Sequence, residues 1–240
     1  MLRAVTFDHW GTLVDARHSN TQSRIEYLAP LAPACTADAI SAAWDVSWDR
    51  FYQLMFQGIS PSTATFLSFV LDELQVALPA DTFLAVDRYW REAMLDDPPP
   101  LLPGAGDVLE QLRGRGLRIG MISDTGVTPG AVLRARLTQL GLHSFFDWFT
   151  FSDEIGVTKV RPYPFRHTAR ALGVSPAETL HVGDLPETDI RGGSAAGYCT
   201  ALLLEVSDRR DGIAEADLVL ERLVELPQAV ATLSATLGRA

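Results

Sequence analysis

Two patterns of hydrophobic and polar positions divide the chain. Residues 2–7 form a short apolar run typical of a buried strand, and it ends at Asp8 and a glycine turn. Between about 15 and 97 the apolar residues recur every three or four positions, which predicts helices over 23–28, 40–55, 66–78 and 83–94. We expect these segments to form a small antiparallel bundle whose aromatic residues make up its core.

A proline-rich stretch, 98–103, ends the helical region, and the pattern then changes. Strand-like runs are predicted at 117–122, 148–151, 179–182, 201–204 and, more weakly, 217–220. Helices are predicted between and after them, over 107–113, 129–140, 165–172, 190–196 and 223–237. Such alternation is typical of a mostly parallel sheet with helices on both faces.

The fold class expected from this order is α/β. The first strand joins the later ones in a Rossmann-like, doubly wound parallel sheet, and the helical region is a small α-helical bundle cap domain inserted after strand 1. The predicted boundaries are 1–14 and 98–240 for the core and 15–97 for the cap.

Composition narrows the classes of function. The chain has 240 residues, 47% of them hydrophobic, which is enough to bury a large core. Its formal net charge of −10 gives no electrostatic basis for binding nucleic acid. No apolar stretch is long enough for a membrane span, and Cys35 and Cys199 lie in no disulfide or metal-binding spacing. We therefore expect a soluble, cytoplasmic protein with free, buried thiols, either a monomer or a homodimer.

Polar residues of a chemically coherent kind follow the predicted strands. Asp8 follows the first strand, Ser123 ends the second, and Asp184 follows the strand that ends at Val182, with Asp189 five residues further on. Lys159 lies in the loop before the helix at 165–172. Ligands of doubly wound sheets bind beyond the carboxyl ends of the strands, so we expect these side chains to converge there.

This set of residue types suits the transfer of a phosphoryl or acyl group. A carboxylate can act as nucleophile, a hydroxyl and an ammonium can hold an anionic group, and further carboxylates can hold a hard cation such as Mg²⁺. Each residue alone also has a structural interpretation: Ser123 as a turn residue, Lys159 as a surface charge, and the pair Asp184 and Asp189 as a helix cap with a first-turn acid. Their common position at strand ends favours the functional interpretation.

The motifs around these residues are ordered along the chain. Residues 7–13 read Phe-Asp-His-Trp-Gly-Thr-Leu, and Ser123 ends an apolar strand. Lys159 precedes a proline and a helix, and residues 183–189 place two aspartates five apart after a glycine. In all of these the chain resembles the haloacid dehalogenase superfamily of hydrolases. One departure is Val160, where the family usually has proline after the lysine; this leaves Arg161 as the alternative, but the spacing to the helix favours Lys159.

The resemblance extends over the whole chain, because that superfamily also inserts a helical cap after the first strand. It implies a hydrolase of the phosphoric monoester type, with Asp8, Ser123 and Lys159 as catalytic residues and Asp8 forming an aspartyl-phosphate. It also implies Mg²⁺ as cofactor, held by Asp8, the backbone carbonyl of Trp10, Asp184 and Asp189. The implied partner is a small phosphorylated substrate.

Trp10 is a second departure from the family pattern. Phosphatases of the superfamily usually carry a second aspartate at this position, which protonates the leaving group, whereas an indole N–H is no acid near neutral pH. His9, His18 and residues of the cap are the candidates to replace it, and none of them is favoured, because a lone histidine in a loop is more often a surface residue. We therefore expect substrates with good leaving groups.

Three hypotheses follow. The first is the Mg²⁺-dependent phosphatase just described. The second is a metal-free 2-haloacid dehalogenase with Asp8 as nucleophile, since that branch has an aromatic residue at the position of Trp10; the pair Asp184 and Asp189 argues against it, because two carboxylates would repel a haloacid. The third is a non-catalytic protein that binds phosphate and Mg²⁺. Cleavage of a carbon–phosphorus bond is disfavoured, since residues 15–97 contain no lysine for the imine it uses.

Overall fold

The computed structural model describes residues 1–18 and 20–237. The chain begins with strand β1 (Ala4–Phe7) and continues through four helices, α1 (Thr21–Leu28), α2 (Ala37–Phe56), α3 (Thr63–Leu74) and α4 (Ala80–Asp96). These four are called the cap helices below. The second half alternates, in the order α5 (Ala105–Gly114), β2 (Arg118–Ser123), α6 (Gly130–Gln139), β3 (Trp148–Phe151), α7 (Ser152–Ile155), α8 (Tyr163–Leu172), β4 (Thr179–Gly183), α9 (Arg191–Ala196), β5 (Cys199–Leu203), β6 (Leu218–Leu220) and α10 (Leu226–Leu237).

All six strands lie in one parallel sheet with the order β3-β2-β1-β4-β5-β6. The first strand lies at the centre, where Phe7 pairs with Met121 of β2 on one side and with Val182 of β4 on the other. This register brings the ends of β1, β2 and β4 to one edge of the sheet. The predicted α/β class with a doubly wound parallel sheet is confirmed.

The two largest of four apolar clusters belong to different parts of the fold. One packs around the sheet and includes Phe7, Ile119, Met121 and Phe151, all nearly inaccessible to solvent. The other lies among the cap helices and is rich in aromatic rings; its largest members are Trp44, Phe51, Phe66 and Trp90. The stripes of residues 40–94 thus supply a core, as their helical spacing predicts, but the prediction is incomplete: Trp48 is half-buried, Tyr52 is 43% exposed, and both line a cavity.

The two connections between these parts run side by side. Val14 and Leu101 form an isolated antiparallel bridge, and the backbone N–H of Asp15 donates to the carbonyl of Pro100 at 2.9 Å. This position agrees with the cap boundaries at 14/15 and 97/98, which stay a prediction. No helix within residues 1–18 and 20–237 is long and apolar enough to cross a membrane.

The structure moves several predicted boundaries. The helix expected over 66–78 ends at Leu74, because Gln75 takes a left-handed conformation with φ of 53°. The segment expected as one helix over 190–196 begins earlier, as a π-helical turn (Pro186–Ile190) that runs into α9. Cys35 and Cys199 are free, as expected, but both are half-buried rather than buried.

Candidate active site

Lys159 links two of the predicted carboxylates beyond the strand ends. Its Nζ lies 2.9 Å from Asp8 Oδ1 and 2.5 Å from Asp189 Oδ1, and only 2% of its side chain is exposed. Burial alone would lower the pKa of Lys159, but the surrounding carboxylates, led by Asp189, outweigh it and raise that pKa above its usual value. The ammonium is therefore charged at neutral pH and lies directly beside the candidate nucleophile.

Asp189 is held by a chain of buried hydrogen bonds. Its Oδ1 also faces His181 Nε2 at 2.9 Å, His181 Nδ1 lies 2.9 Å from Thr6 Oγ1, and the Leu185 N–H donates to Asp189 Oδ2 at 3.0 Å. Burial lowers the pKa of His181, so the ring is neutral; it donates from Nε2 to the carboxylate and accepts from the threonine hydroxyl. Although burial opposes ionisation of Asp189, Lys159 and the His181 bond lower its pKa below the ordinary value.

Asp184 reaches the site because glycine stands at position 11. Gly11 has φ of +71°, and a Cβ there would lie 2.4 Å from Asp184 Oδ2, so the loop after β1 packs directly on this carboxylate. Asp184 Oδ1 is buried with no hydrogen-bond partner among the described residues. Its burial, and then the charges of Asp189 and Asp8, raise the pKa of Asp184 well above the ordinary value. An ionised Asp184 therefore needs a positive partner that the described residues do not supply.

The candidate nucleophile Asp8 is in a similar position. Burial is the largest influence on its pKa and raises it, although Lys159 and Ser123 act in the opposite direction. Asp8 Oδ1 contacts Lys159 as an ion pair without hydrogen-bond alignment, and the Ser123 hydroxyl, also buried, makes no regular hydrogen bond within the described part of the chain. Asp8 lines the cavity described below, whereas Ser123 is 1% exposed and is not among the residues that line it.

Three carboxylates at this site fit a divalent cation. One oxygen from each of Asp8, Asp184 and Asp189 lies within 4.8 Å of the others, and oxygen ligands are the ones that Mg²⁺ prefers. The unpartnered buried oxygen of Asp184 is the strongest sign, because an unpaired buried carboxylate is costly. Both oxygens of Asp189, by contrast, already accept hydrogen bonds from protein groups.

Sequence reasoning missed two residues of the site. Asp124 is half-buried, and both its oxygens accept the backbone N–H of Lys159, at 3.0 and 3.2 Å; loss of solvent around the carboxyl raises the pKa of Asp124 to about 7. The signal available was its position next to Ser123 at the strand end. His181 lies inside strand β4, and nothing in the sequence separates it from a buried histidine of the core.

Trp10 is half-buried beside the nucleophile. Its ring packs edge-on against His9 with centroids 4.9 Å apart, and it lines the cavity above Asp8. Burial lowers the pKa of His9 to about 3 and the ring does not line that cavity, so His9 cannot supply the missing acid. His18 does line the cavity, and its Nε2 lies 3.3 Å from Asp97 Oδ2.

The cavity lies between the sheet edge and the cap helices and has a volume of about 300 Å³. Its lower end carries Asp8, Lys159 and Asp184. The cap contributes an apolar wall from one face of α2, formed by Trp44, Trp48, Phe51, Tyr52 and Met55. A bound molecule would therefore have its anionic group at the strand ends and its remainder against aromatic rings.

A parallel sheet with a buried Asp, Lys and further carboxylates at the ends of its central strands, covered by a helical insertion, defines a hydrolase with a Rossmann-like core and a helical cap. Residues 2–197 match the family model of haloacid dehalogenase-like hydrolases, and the chain belongs to that family. The resemblance drawn from the motifs is confirmed.

The chain spans about two fifths of the length of the two curated relatives described next. A glyceraldehyde 3-phosphate phosphatase of Methanopyrus kandleri is 40% identical over 110 residues, which cover 45% of this chain and 43% of that protein. A phosphoserine phosphatase of Thermus thermophilus is 38% identical over 98 residues, covering 41% and 38%.

Two solved structures match over nearly their whole length. A 2-haloacid dehalogenase of Pseudomonas syringae pv. Tomato covers 97% of this chain and 100% of its own, with a TM-score of 0.74 and 21% identity. A HAD phosphatase of Thermococcus onnurineus covers 95% and 98%, with a TM-score of 0.61 and 24% identity. At these identities the likeness concerns the fold, which phosphatases and dehalogenases of the family share.

Proposed function

We propose that this hydrolase is a Mg²⁺-dependent phosphatase that acts on a small phosphorylated metabolite through an aspartyl-phosphate at Asp8. The observation that carries the proposal is the charge balance of the site. Three buried carboxylates, Asp8, Asp184 and Asp189, lie close together; Lys159 pairs with Asp8 and Asp189, and an oxygen of Asp184 lacks a partner among the residues described. A divalent cation together with a phosphate group would complete this arrangement.

Each residue has a definite task in that reaction. A carboxylate oxygen of Asp8 attacks phosphorus, the bond from phosphorus to the leaving oxygen breaks, and water later hydrolyses the acyl phosphate. Lys159 and the Ser123 hydroxyl hold the phosphoryl oxygens, while Asp124 fixes the Lys159 backbone. Asp8, Asp184 and the backbone carbonyl of Trp10 would hold Mg²⁺, which supplies positive charge between carboxylate and phosphate. Asp189, whose oxygens accept hydrogen bonds from Lys159 and Leu185, would support that metal shell.

The leaving group must depart without an aspartic acid to protonate it, because position 10 is tryptophan. We therefore propose that the substrates have good leaving groups, as in aryl or acyl phosphates. The proposed cap, residues 15–97, would exclude water over the site when closed. In keeping with the free Cys35 and Cys199, we propose a reducing, cytoplasmic setting, with neither nucleic acid nor a membrane as partner.

An assay with an aryl phosphate and Mg²⁺ tests the proposal. We expect slow turnover that is abolished by chelation and by Asp8→Asn, which keeps the shape of the side chain and removes its nucleophilicity. Activity that survives either change would refute the phosphatase mechanism. Urea unfolding of the Asp8→Asn variant shows whether a loss of activity reflects a loss of fold.

A 2-haloacid dehalogenase is the second candidate, and the aromatic residue at position 10 is what favours it. Halide leaves unprotonated, so this reaction needs no acid where Trp10 stands. Release of chloride from a 2-chloro acid in the absence of metal would support it. A protein that is inert in both assays but binds phosphate together with Mg²⁺ would instead support the non-catalytic hypothesis.

A further inference from the structure

The cavity above Asp8 is lined by a second buried cation, which the proposed reaction does not use. Arg24 lies on the cap helix α1, is 6% exposed and lines the same cavity as Lys159. Burial lowers the pKa of Arg24 to about 10, so the guanidinium is charged at neutral pH. Both Lys159 and Arg24 thus present positive charge to whatever fills the cavity.

Their surroundings differ. Lys159 is neutralised by Asp8 and Asp189, whereas Arg24 has no carboxylate within 4.0 Å among residues 1–18 and 20–237. Its Nε donates to the Trp90 carbonyl and its Nη2 to Thr128 Oγ1, both at 2.9 Å. The other terminal nitrogen, Nη1, donates to no described residue. A buried charge with neutral partners alone is costly, and an incoming anion would repay that cost.

We propose that Arg24 binds an anionic group, a carboxylate or a second phosphate, carried by the leaving group of the substrate. The inference rests on the proposed phosphatase function and narrows its substrates to phosphate esters whose leaving group is itself anionic. Arginine suits this task, because its planar guanidinium offers several donors to one oxyanion. Three acidic side chains line the cavity, Asp8, Asp124 and Asp184, but none of them lies within 4.0 Å of the Arg24 guanidinium nitrogens in the described structure; Asp8 is paired with Lys159 instead.

A purely structural task for Arg24 is the competing explanation. Its two hydrogen bonds join α1 to α4 and to the core loop at Thr128, so it could serve only to fasten the cap. Thr63 is a matched control: its buried hydroxyl donates to the Val127 carbonyl at 2.8 Å, joining cap helix α3 to the same loop, and it does not line this cavity. Thr63→Val removes a cap-to-core hydrogen bond without touching the charge.

The experiment compares matched aryl phosphates with Mg²⁺. Each carries a carboxylate at the meta or para position of the ring, and its partner carries a carboxamide there; a third set carries a second phosphate. For the wild-type protein we expect a higher kcat/KM for an anionic probe than for its carboxamide at one or both positions. Loss of a charge-assisted hydrogen bond should reduce this selectivity about 10- to 100-fold in Arg24→Met, mainly through KM.

Two control variants distinguish anion binding by Arg24 from a purely structural task of joining the cap to the core. Arg24→Lys should retain part of the selectivity, since it keeps the charge, and Thr63→Val should keep all of it. The proposal is overturned if the wild type shows no preference for an anionic probe at either position, if Arg24→Met keeps the preference, or if Thr63→Val loses it to the same extent. Because selectivity is a ratio within one variant, a partly unfolded preparation does not alter it.

A binding measurement separates this proposal from the proposed function. Calorimetry with Asp8→Asn compares 4-hydroxybenzoate and 3-hydroxybenzoate with their amides, with and without the additional Arg24→Met change. Binding of a carboxylate that depends on Arg24 supports the subsite even if no probe is turned over, which would refute the phosphatase alone. Turnover of all probes at equal rates, with no Arg24-dependent binding, would support the phosphatase proposal and refute the proposal that Arg24 binds an anionic group.

Discussion

Replacing Trp10 with aspartate would put a carboxyl group where the chain now has an indole. Trp10 lines the cavity beside Asp8, so the new side chain would face the leaving group of a bound phosphate ester. The negative charge of the bound phosphate group would raise the pKa of the new carboxyl group and keep part of it protonated near neutral pH. It could then donate a proton to the departing oxygen.

The expected increase in rate follows from what a general acid contributes to catalysis. General acid catalysis is worth about 10²- to 10⁴-fold, and a side chain placed by substitution should reach the lower end, about 10²-fold, on alkyl phosphates. Removing a fully buried tryptophan costs about 3–5 kcal/mol. Trp10 is half-buried, so its loss should cost about 2 kcal/mol, which is less than the stability of a typical domain, about 5–15 kcal/mol.

The assay is a series of phosphate esters whose leaving groups span a wide range of pKa. For the wild type, log kcat/KM should fall steeply as the leaving-group pKa rises, and Trp10→Asp should flatten that slope by raising the rates at the slow end. Trp10→Asn is the control, because it has the same shape without a proton to donate. A folded Trp10→Asp variant with the wild-type slope would refute our explanation of the missing acid.

Three further experiments, two with substituted proteins and one with the native protein, test other parts of the site. Asp189→Asn should lower the free energy of unfolding by about 3 kcal/mol, because it leaves Lys159 without its closest partner. The control Glu215→Gln breaks an exposed ion pair with Arg191 and should lower it by less than about 1 kcal/mol; urea titration measures both variants. Gly11→Ala should abolish activity, because the new Cβ would displace Asp184. Gly116 also has a positive φ, +77°, but open space around it, so Gly116→Ala should lower only the stability; similar activity in the two variants would contradict this expectation. Lys159 is the only lysine of the 240 residues and is buried, so an amine reagent should label only the N-terminal amine of the native protein; mass spectra showing a rapidly labelled Lys159 would contradict its burial.

Local patterns were sufficient to predict the sheet and the residues at its edge. Apolar runs of strand length that end in Asp8, Ser123 and Gly183 indicate where each strand stops, because a buried run and a following polar turn are both local properties. Parallel strands then bring their carboxyl ends to one edge, which makes convergence of these residues a consequence of the fold class. The family motifs strengthened the same assignment.

The tertiary structure alone decided which charges meet. The sequence gives no sign that His181 supports Asp189, that Asp124 holds the backbone of Lys159, or that Arg24 reaches the cavity without a carboxylate partner. These contacts join residues 8 to 104 positions apart, and each depends on how whole helices and strands pack. Periodicity indicates which face of an element is buried, but not which residues of other elements contact that face. The sequence therefore predicted the position of Asp8 at the end of a strand, but not the balance of charges around it.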